Sequence, residues 1–149
     1  MNFDDLVKSG RLREEKTGRD KIVEFLQFAE TEINAARYLL PKYRAIAYKS
    51  AYDALIHAGN VLIRHYGFRP TQKYTHATIV EFTDIVFGKE YGNLVKRFKR
   101  MRRKRHPLQY EASFVESEEE VRKSIDNAQE LIERIKDHVG IKPPQQKLF

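Results

Sequence analysis

Residues 44–66 read RAIAYKSAYDALIHAGNVLIRHY, and this stretch decides the fold. On a helix, its apolar residues lie around most of the circumference, which is typical of a helix covered by several neighbours. Gly67 follows directly, and glycine readily adopts the left-handed conformation that ends a helix. The sequence therefore predicts a central, buried helix. A seam of small residues on it would let another helix approach closely, and it consists of Ala47, Ala51, Ala54 and Ala58.

Two longer amphipathic helices are predicted on either side of this segment. In each, apolar residues recur at alternating intervals of four and three, the spacing that places them on one helical face. The first begins after Asp20 and ends at Pro41. The last begins at Ser117, where the sequence Ser-Glu-Glu-Glu has the form of a capping box, and ends at Gly140.

Two shorter helices are predicted between them. One ends near Gly88, and the next extends from Glu90 to Arg105. The second should stop at His106, because Pro107 disfavours a helical conformation in the residue before it. No strand is predicted. The expected fold class is therefore all-α, an antiparallel up-and-down bundle of about five helices.

The length of 149 residues fits one domain. We expect an N-terminal extension or short helix over residues 1–16, the bundle over 17–140 and a disordered tail over 141–149. The chain has no cysteine, which excludes a disulfide framework, a thiolate nucleophile and a cysteine-ligated zinc site. No apolar stretch approaches the roughly 20 residues that cross a membrane. The sequence predicts a soluble, cytoplasmic protein.

The net charge of +7 is concentrated in residues 96–105, the basic segment, which contains eight lysines and arginines and no acid. Without its eight cations, the chain's 28 lysines and arginines fall to 20, against 21 acids. On a helix, six of the eight lie outside the apolar face and form a surface suited to phosphates. These are Lys96, Arg97, Lys99, Arg100, Arg103 and Lys104.

Arg102 and Arg105 are different, because the same helical geometry places them on the apolar face and predicts that they point inward. Three interpretations remain open. The bundle core ends at Met101 and both side chains extend to water. Alternatively, they line a cleft with His106 and Tyr110, where arginine grips a phosphate, or they form a buried ion pair.

Asp53 and His57 lie one helical turn apart on the central helix. A carboxylate at this distance can orient an imidazole and raise its basicity. Asn60 and Arg64 continue the stripe, and two interpretations stay open. The stripe is the solvent side of the helix, or it faces the groove near the basic helix or a dimer partner. A metal at Asp53, His57 and His76 is disfavoured, because the spacings of strong metal motifs are absent. We predict no metal and no cofactor.

The central segment resembles the AYxxAYxALxHA helix of HEPN (higher eukaryotes and prokaryotes nucleotide-binding) domains, in its residues 47–58. The resemblance continues in order through Gly67-Phe68-Arg69-Pro70, Thr75-His76 and the arginine-rich sequence into His106 and Tyr110. It ends with the last helix, whose first residues are acidic, and it covers roughly residues 25–139. It implies an all-α bundle that forms a homodimer.

The resemblance also implies a function. Many HEPN members are ribonucleases of toxin–antitoxin or defence systems, and their cleaving members carry an Arg, four to six residues and then a His. Arg100 and His106 have that spacing. The sequence thus predicts an RNA-binding protein that cleaves RNA without a metal, using Arg100 or Arg102 with His106. Tyr110 would stack on a base or donate to a phosphate.

Two alternatives stay open. One is a non-catalytic nucleotide-binding module or the partner of a minimal nucleotidyltransferase. The other is a plain nucleic-acid-binding helical protein. A membrane-surface role is disfavoured, because the short apolar stripe of the basic helix is needed by the core.

Overall fold

The computed structural model describes residues 2–110 and 116–141, with side chains 105–110 outside that description. The described part contains six helices and two short strands. In chain order these are α1 (Phe3–Lys8), β1 (Leu12–Glu14), α2 (Arg19–Leu39), α3 (Arg44–His65), β2 (Phe68–Pro70), α4 (Thr75–Phe87), α5 (Gly92–Tyr110) and α6 (Glu118–Val139). The all-α fold class is confirmed. The tail predicted to be disordered falls, from residue 142 onward, outside the described residues.

Helix α3 is the centre of the bundle, as predicted. It packs against α2, α4, α5 and α6, and the alanine seam on it is fully buried. Gly59 shows how closely α4 approaches, since a Cβ at this position would overlap Cγ2 of Ile79. Such a contact is far too short for carbon atoms, so this crossing requires glycine.

Helix α6 follows the sequence prediction at both ends. The Ser117 side chain accepts a hydrogen bond from the backbone N–H of Glu120 at 3.1 Å, which satisfies one of the free donors at the helix start. Gly140 adopts the left-handed conformation that closes the helix, with φ of 76°. The apolar residues at intervals of four and three are buried along its length.

Helix α5 differs from its prediction at both ends. It begins at Gly92 and continues through Pro107 to Tyr110, so the predicted end at His106 is wrong. Proline removes one backbone hydrogen bond and disfavours a helical conformation in the preceding residue, but it does not forbid the helix from continuing. The basic segment and the residues after it therefore share one helix.

The prediction of no strand is also wrong. β1 pairs with β2 in an antiparallel ladder, with Leu12 opposite Pro70 and Glu14 opposite Phe68. Three residues are too few to produce a recognisable alternating pattern, and proline is accepted because the ladder has only two strands. The ladder ties the start of the chain to the segment that follows α3.

The N-terminal residues form part of the bundle. Leu6 of α1 is fully buried, and the Phe3 ring stacks on Phe82 of α4 with centroids 4.4 Å apart. Within the described residues, no helix combines the length and the apolar character needed to span a lipid bilayer.

Candidate functional site

Helix α5 carries the basic segment between two packed neighbours. Its apolar face is buried as predicted, and it consists of Leu94, Val95, Phe98 and Met101. This face packs against α3, α4 and α6. The cations therefore lie on the remaining surface and along the borders with α4 and α6.

Four of these cations form ion pairs with acids of neighbouring segments. Arg97 lies 3.6 Å from Glu120, and Lys99 lies 2.7 Å from Asp84. Arg100 and Lys104 share Glu116, at 2.8 and 3.6 Å. Half of the eight cations in the basic segment are thus neutralised. The acids that do so lie on α4, at the start of α6 and in the residue before the N-cap of α6.

Glu116 is the most buried of these acids, and sequence reasoning missed it. The residue is only 7% exposed, and its two cationic partners compensate a carboxylate that would otherwise be costly to bury. Its charge also acts on Tyr48 of α3. Burial raises the pKa of the Tyr48 hydroxyl above its ordinary value, and the negative charge of Glu116 raises it further.

Arg102 and Arg103 are exposed and form no ion pair with any described residue, and the same holds for Lys96. The predicted inward position of Arg102 is wrong. Met101 is the last core residue of the described part of α5, and Arg102 lies at the edge of the apolar face, where a long side chain reaches water easily. The side chain of Arg105 falls outside the described residues.

A groove between α4 and α5 brings the arginines together with other side chains. It encloses about 280 Å³ and is lined by Ala77, Val80, Glu81, Lys99, Arg102 and Arg103, and we call it the α4–α5 groove. Two of its cations, Arg102 and Arg103, remain available to an anion. Since Lys99 already pairs with Asp84, the two arginines are the groove's cations without an ion pair among the described residues.

His106 and Tyr110 lie on the same helix, beyond the described side chains. Because α5 is helical to Tyr110, the positions of Arg102, His106 and Tyr110 follow one another at intervals of four residues. Positions four apart lie on one side of a helix. Arg100 precedes His106 by six residues and is held by Glu116.

The second predicted constellation has a different partner from the one expected. His57 Nδ1 lies 2.5 Å from Oε1 of Glu32 on α2, whereas the carboxylate of Asp53 pairs with Lys49 at 3.0 Å. The Phe28 ring contacts the imidazole edge-on, at 4.9 Å between centroids. Glu32 was missed because it is distant in sequence and becomes a neighbour only when α2 packs on α3.

The His57–Glu32 pair should make stability depend on pH. The hydrogen bond to Glu32 raises the pKa of His57, against a smaller lowering by burial. A group with a raised pKa in the folded state stabilises the fold below its unfolded pKa, and this contribution is lost as the pH rises through the folded pKa. Replacing Glu32 by glutamine should therefore destabilise the protein most near pH 5–6 and progressively less above about pH 7.

Urea unfolding of the wild type and Glu32→Gln, from about pH 5 to about pH 9, checks this result. Glu24→Gln is the matched control, because Glu24 is an exposed acid of the same helix that pairs with Lys21 at 3.9 Å and not with His57. A difference between wild type and Glu32→Gln that stays constant with pH would contradict the assignment.

The described residues contain no group of three or more histidines and acids arranged to hold a metal ion. His76, considered above as a ligand with Asp53 and His57, instead makes a hydrogen bond between its Nδ1 and the Tyr52 hydroxyl at 3.0 Å. The side chains considered for a metal thus have protein partners.

A larger groove, of about 600 Å³, lies at the C-terminal end of α3. Arg64 lines it but pairs with Glu15 at 2.7 Å, and Glu14 lies on the same wall. The lining of this groove therefore mixes acids and bases, and Arg64 is already paired within it.

A search among curated proteins found no match to this chain. A family model described as "HEPN domain" matches residues 22–138, which is most of the chain. The protein belongs to the HEPN domain family.

Proposed function

We propose that this protein binds RNA through the α4–α5 groove and the adjoining surface of α5. Membership of the HEPN family supports a nucleotide-binding or ribonuclease-type function in general terms. The observation that carries the proposal is the pair Arg102 and Arg103, exposed beside the groove without an ion pair among the described residues. Exposed arginines bind phosphates through two parallel hydrogen bonds.

The proposal includes metal-independent cleavage of RNA in a homodimer, as in ribonucleases of toxin–antitoxin or defence systems. His106 would act as the general base on the ribose 2′-hydroxyl or as the general acid on the leaving oxygen. An arginine would stabilise the charge that develops on the phosphorane. Arg100 has the spacing of the family's cleaving members, and Arg102 lies one turn before His106 on the continuous helix α5.

A second candidate is a non-catalytic module, which binds a nucleotide or serves as the partner of a nucleotidyltransferase. The ion pairs of Arg100 and Lys104 with Glu116 favour this alternative. An arginine held by a buried carboxylate has fewer N–H donors left for a phosphate. In this case Arg102 and Arg103 would still bind phosphate, whereas Arg100 would stabilise the fold through its ion pair with Glu116.

Salt dependence of RNA affinity tests the binding site. The double variant Arg102→Ala/Arg103→Ala should bind a single-stranded RNA severalfold more weakly than the wild type. If each arginine neutralises one phosphate, the slope of log K against log salt should become shallower by about 1.4. Fluorescence anisotropy with a labelled oligonucleotide at several salt concentrations provides both quantities.

The double variant Lys42→Ala/Lys89→Ala is the matched control. It removes the same charge from exposed positions outside the groove that form no ion pair with the described residues. Its affinity and salt slope should stay near those of the wild type. Equal losses in the two double variants would show that net charge alone, and not the α4–α5 groove, determines binding.

A further inference from the structure

We propose that Tyr74 stacks on an unpaired base, so that the ligand of the α4–α5 groove is single-stranded RNA rather than duplex. The inference rests on the proposed function and adds to it the substrate class and the residue that selects it. It is carried by the backbone conformation of Tyr74, its exposure and its position beside the groove.

Tyr74 combines an unfavourable backbone with an exposed ring. It precedes α4 in the left-handed conformation, with φ of 53° and ψ of 45°, and no other non-glycine residue of the described chain has a positive φ. Residues other than glycine rarely adopt this conformation, and those that do often lie at functional sites. The residue is 67% exposed, so burial of the ring does not explain why a tyrosine occupies this position.

Arg11 connects the Tyr74 ring to the groove. Its guanidinium lies 5.9 Å from the ring centroid, while its Nη2 atom lies 2.7 Å from Oε2 of Glu81. Arg11 also donates through Nε to Oγ1 of Thr78 at 2.9 Å, which fixes its position on α4. Since Glu81 lines the groove, the same arginine contacts the ring on one side and the groove wall on the other.

The groove next to the ring has a positive surplus. Its acid Glu81 is compensated by Arg11, and Lys99 is compensated by Asp84. Arg102 and Arg103 are then left to bind phosphate. Ala77, which also lines the groove, is three residues after Tyr74, and Tyr74 directly precedes α4.

An aromatic ring beside a cationic groove is the combination that binds single strands. The groove follows the phosphates, and a base stacks on the ring in a way that tolerates any sequence. In a duplex the faces of the bases are covered by their neighbours, so a single ring at the surface cannot reach them. We therefore expect single-stranded RNA to bind more tightly than a duplex of the same sequence.

The test measures binding of a labelled single-stranded RNA, and of the same strand annealed to its complement, by wild type, Tyr74→Phe, Tyr74→Gly and Tyr38→Ala. Tyr74→Phe keeps the ring, and Tyr74→Gly removes it while relieving the left-handed conformation. Tyr38 is the matched control, an 87% exposed tyrosine on α2. Thermal unfolding of each variant confirms that it is folded.

We expect Tyr74→Gly to lose about five- to one-hundred-fold in affinity for the single strand, with Tyr74→Phe and Tyr38→Ala close to the wild type. Two results would overturn the inference and leave the proposed function intact. In the first, Tyr74→Gly binds the single strand as tightly as the wild type does; in the second, the wild type binds duplex as tightly as the single strand. If the wild type binds neither RNA, both proposals fail, and an acidic protein partner becomes the better occupant of the groove.

Discussion

Replacing Leu6 by alanine is expected to lower the free energy of unfolding by about 2–5 kcal/mol. Leu6 is 0% exposed and belongs to the hydrophobic core of the described residues, although it lies outside the residues matched by the family model. The substitution removes buried methyl groups and leaves a cavity between α1 and the bundle. Urea denaturation followed by circular dichroism measures the loss.

Val7→Ala is the control for this prediction. Val7 is the next residue of α1 and is 37% exposed, so its truncation should cost well under 1 kcal/mol. Comparable losses in the two variants would show that α1 contributes through helix formation and not through the buried contact. A loss below about 1 kcal/mol in Leu6→Ala would mean that the N-terminal segment is dispensable to the fold.

The long helices could be predicted from sequence because each buries one defined face. In α6, apolar residues at intervals of four and three coincide with the buried residues, from Val121 to Val139. The central helix α3 was recognised from the opposite feature, since apolar residues surround it. These signals are local, and they need no knowledge of which segments meet.

The strands and the end of α5 could not be predicted, for two physical reasons. β1 and β2 have three residues each, so pairing between distant segments creates them and no local periodicity reveals them. Pro107 opposes a helix locally, yet α5 continues through it. The unfavourable effect of Pro107 on the helix was therefore smaller than the tendency of the surrounding residues to remain helical.

The cations of the candidate site could be predicted from the sequence, but the acids that pair with them could not. The sequence identified the basic run of α5, whereas Glu116 and Asp84 became neighbours of that run only through folding. Arg102 was placed inward by the helical angle alone. In the structure, the buried face of α5 ends at Met101, and the side chain of Arg102, the next residue, is exposed.

Replacing His106 by alanine is expected to lower the rate of RNA cleavage by roughly 10²–10⁴-fold. The imidazole is the group of α5 that can transfer a proton near neutral pH without a metal. Because α5 is a continuous helix through Tyr110, a substitution at position 106 should leave Arg102 and the α4–α5 groove in place. RNA affinity should therefore change much less than the cleavage rate.

The most direct measurement is the cleavage rate of a labelled RNA in EDTA, under single-turnover conditions, by purified wild type, His106→Ala and the control His65→Ala. His65 is an exposed histidine at the C-terminal end of α3 and does not line the α4–α5 groove. The account predicts cleavage by wild type and His65→Ala, and its loss in a folded His106→Ala that still binds RNA. No cleavage by wild type, or equal rates in all three proteins, would contradict a catalytic role for His106 and leave α5 as a binding surface.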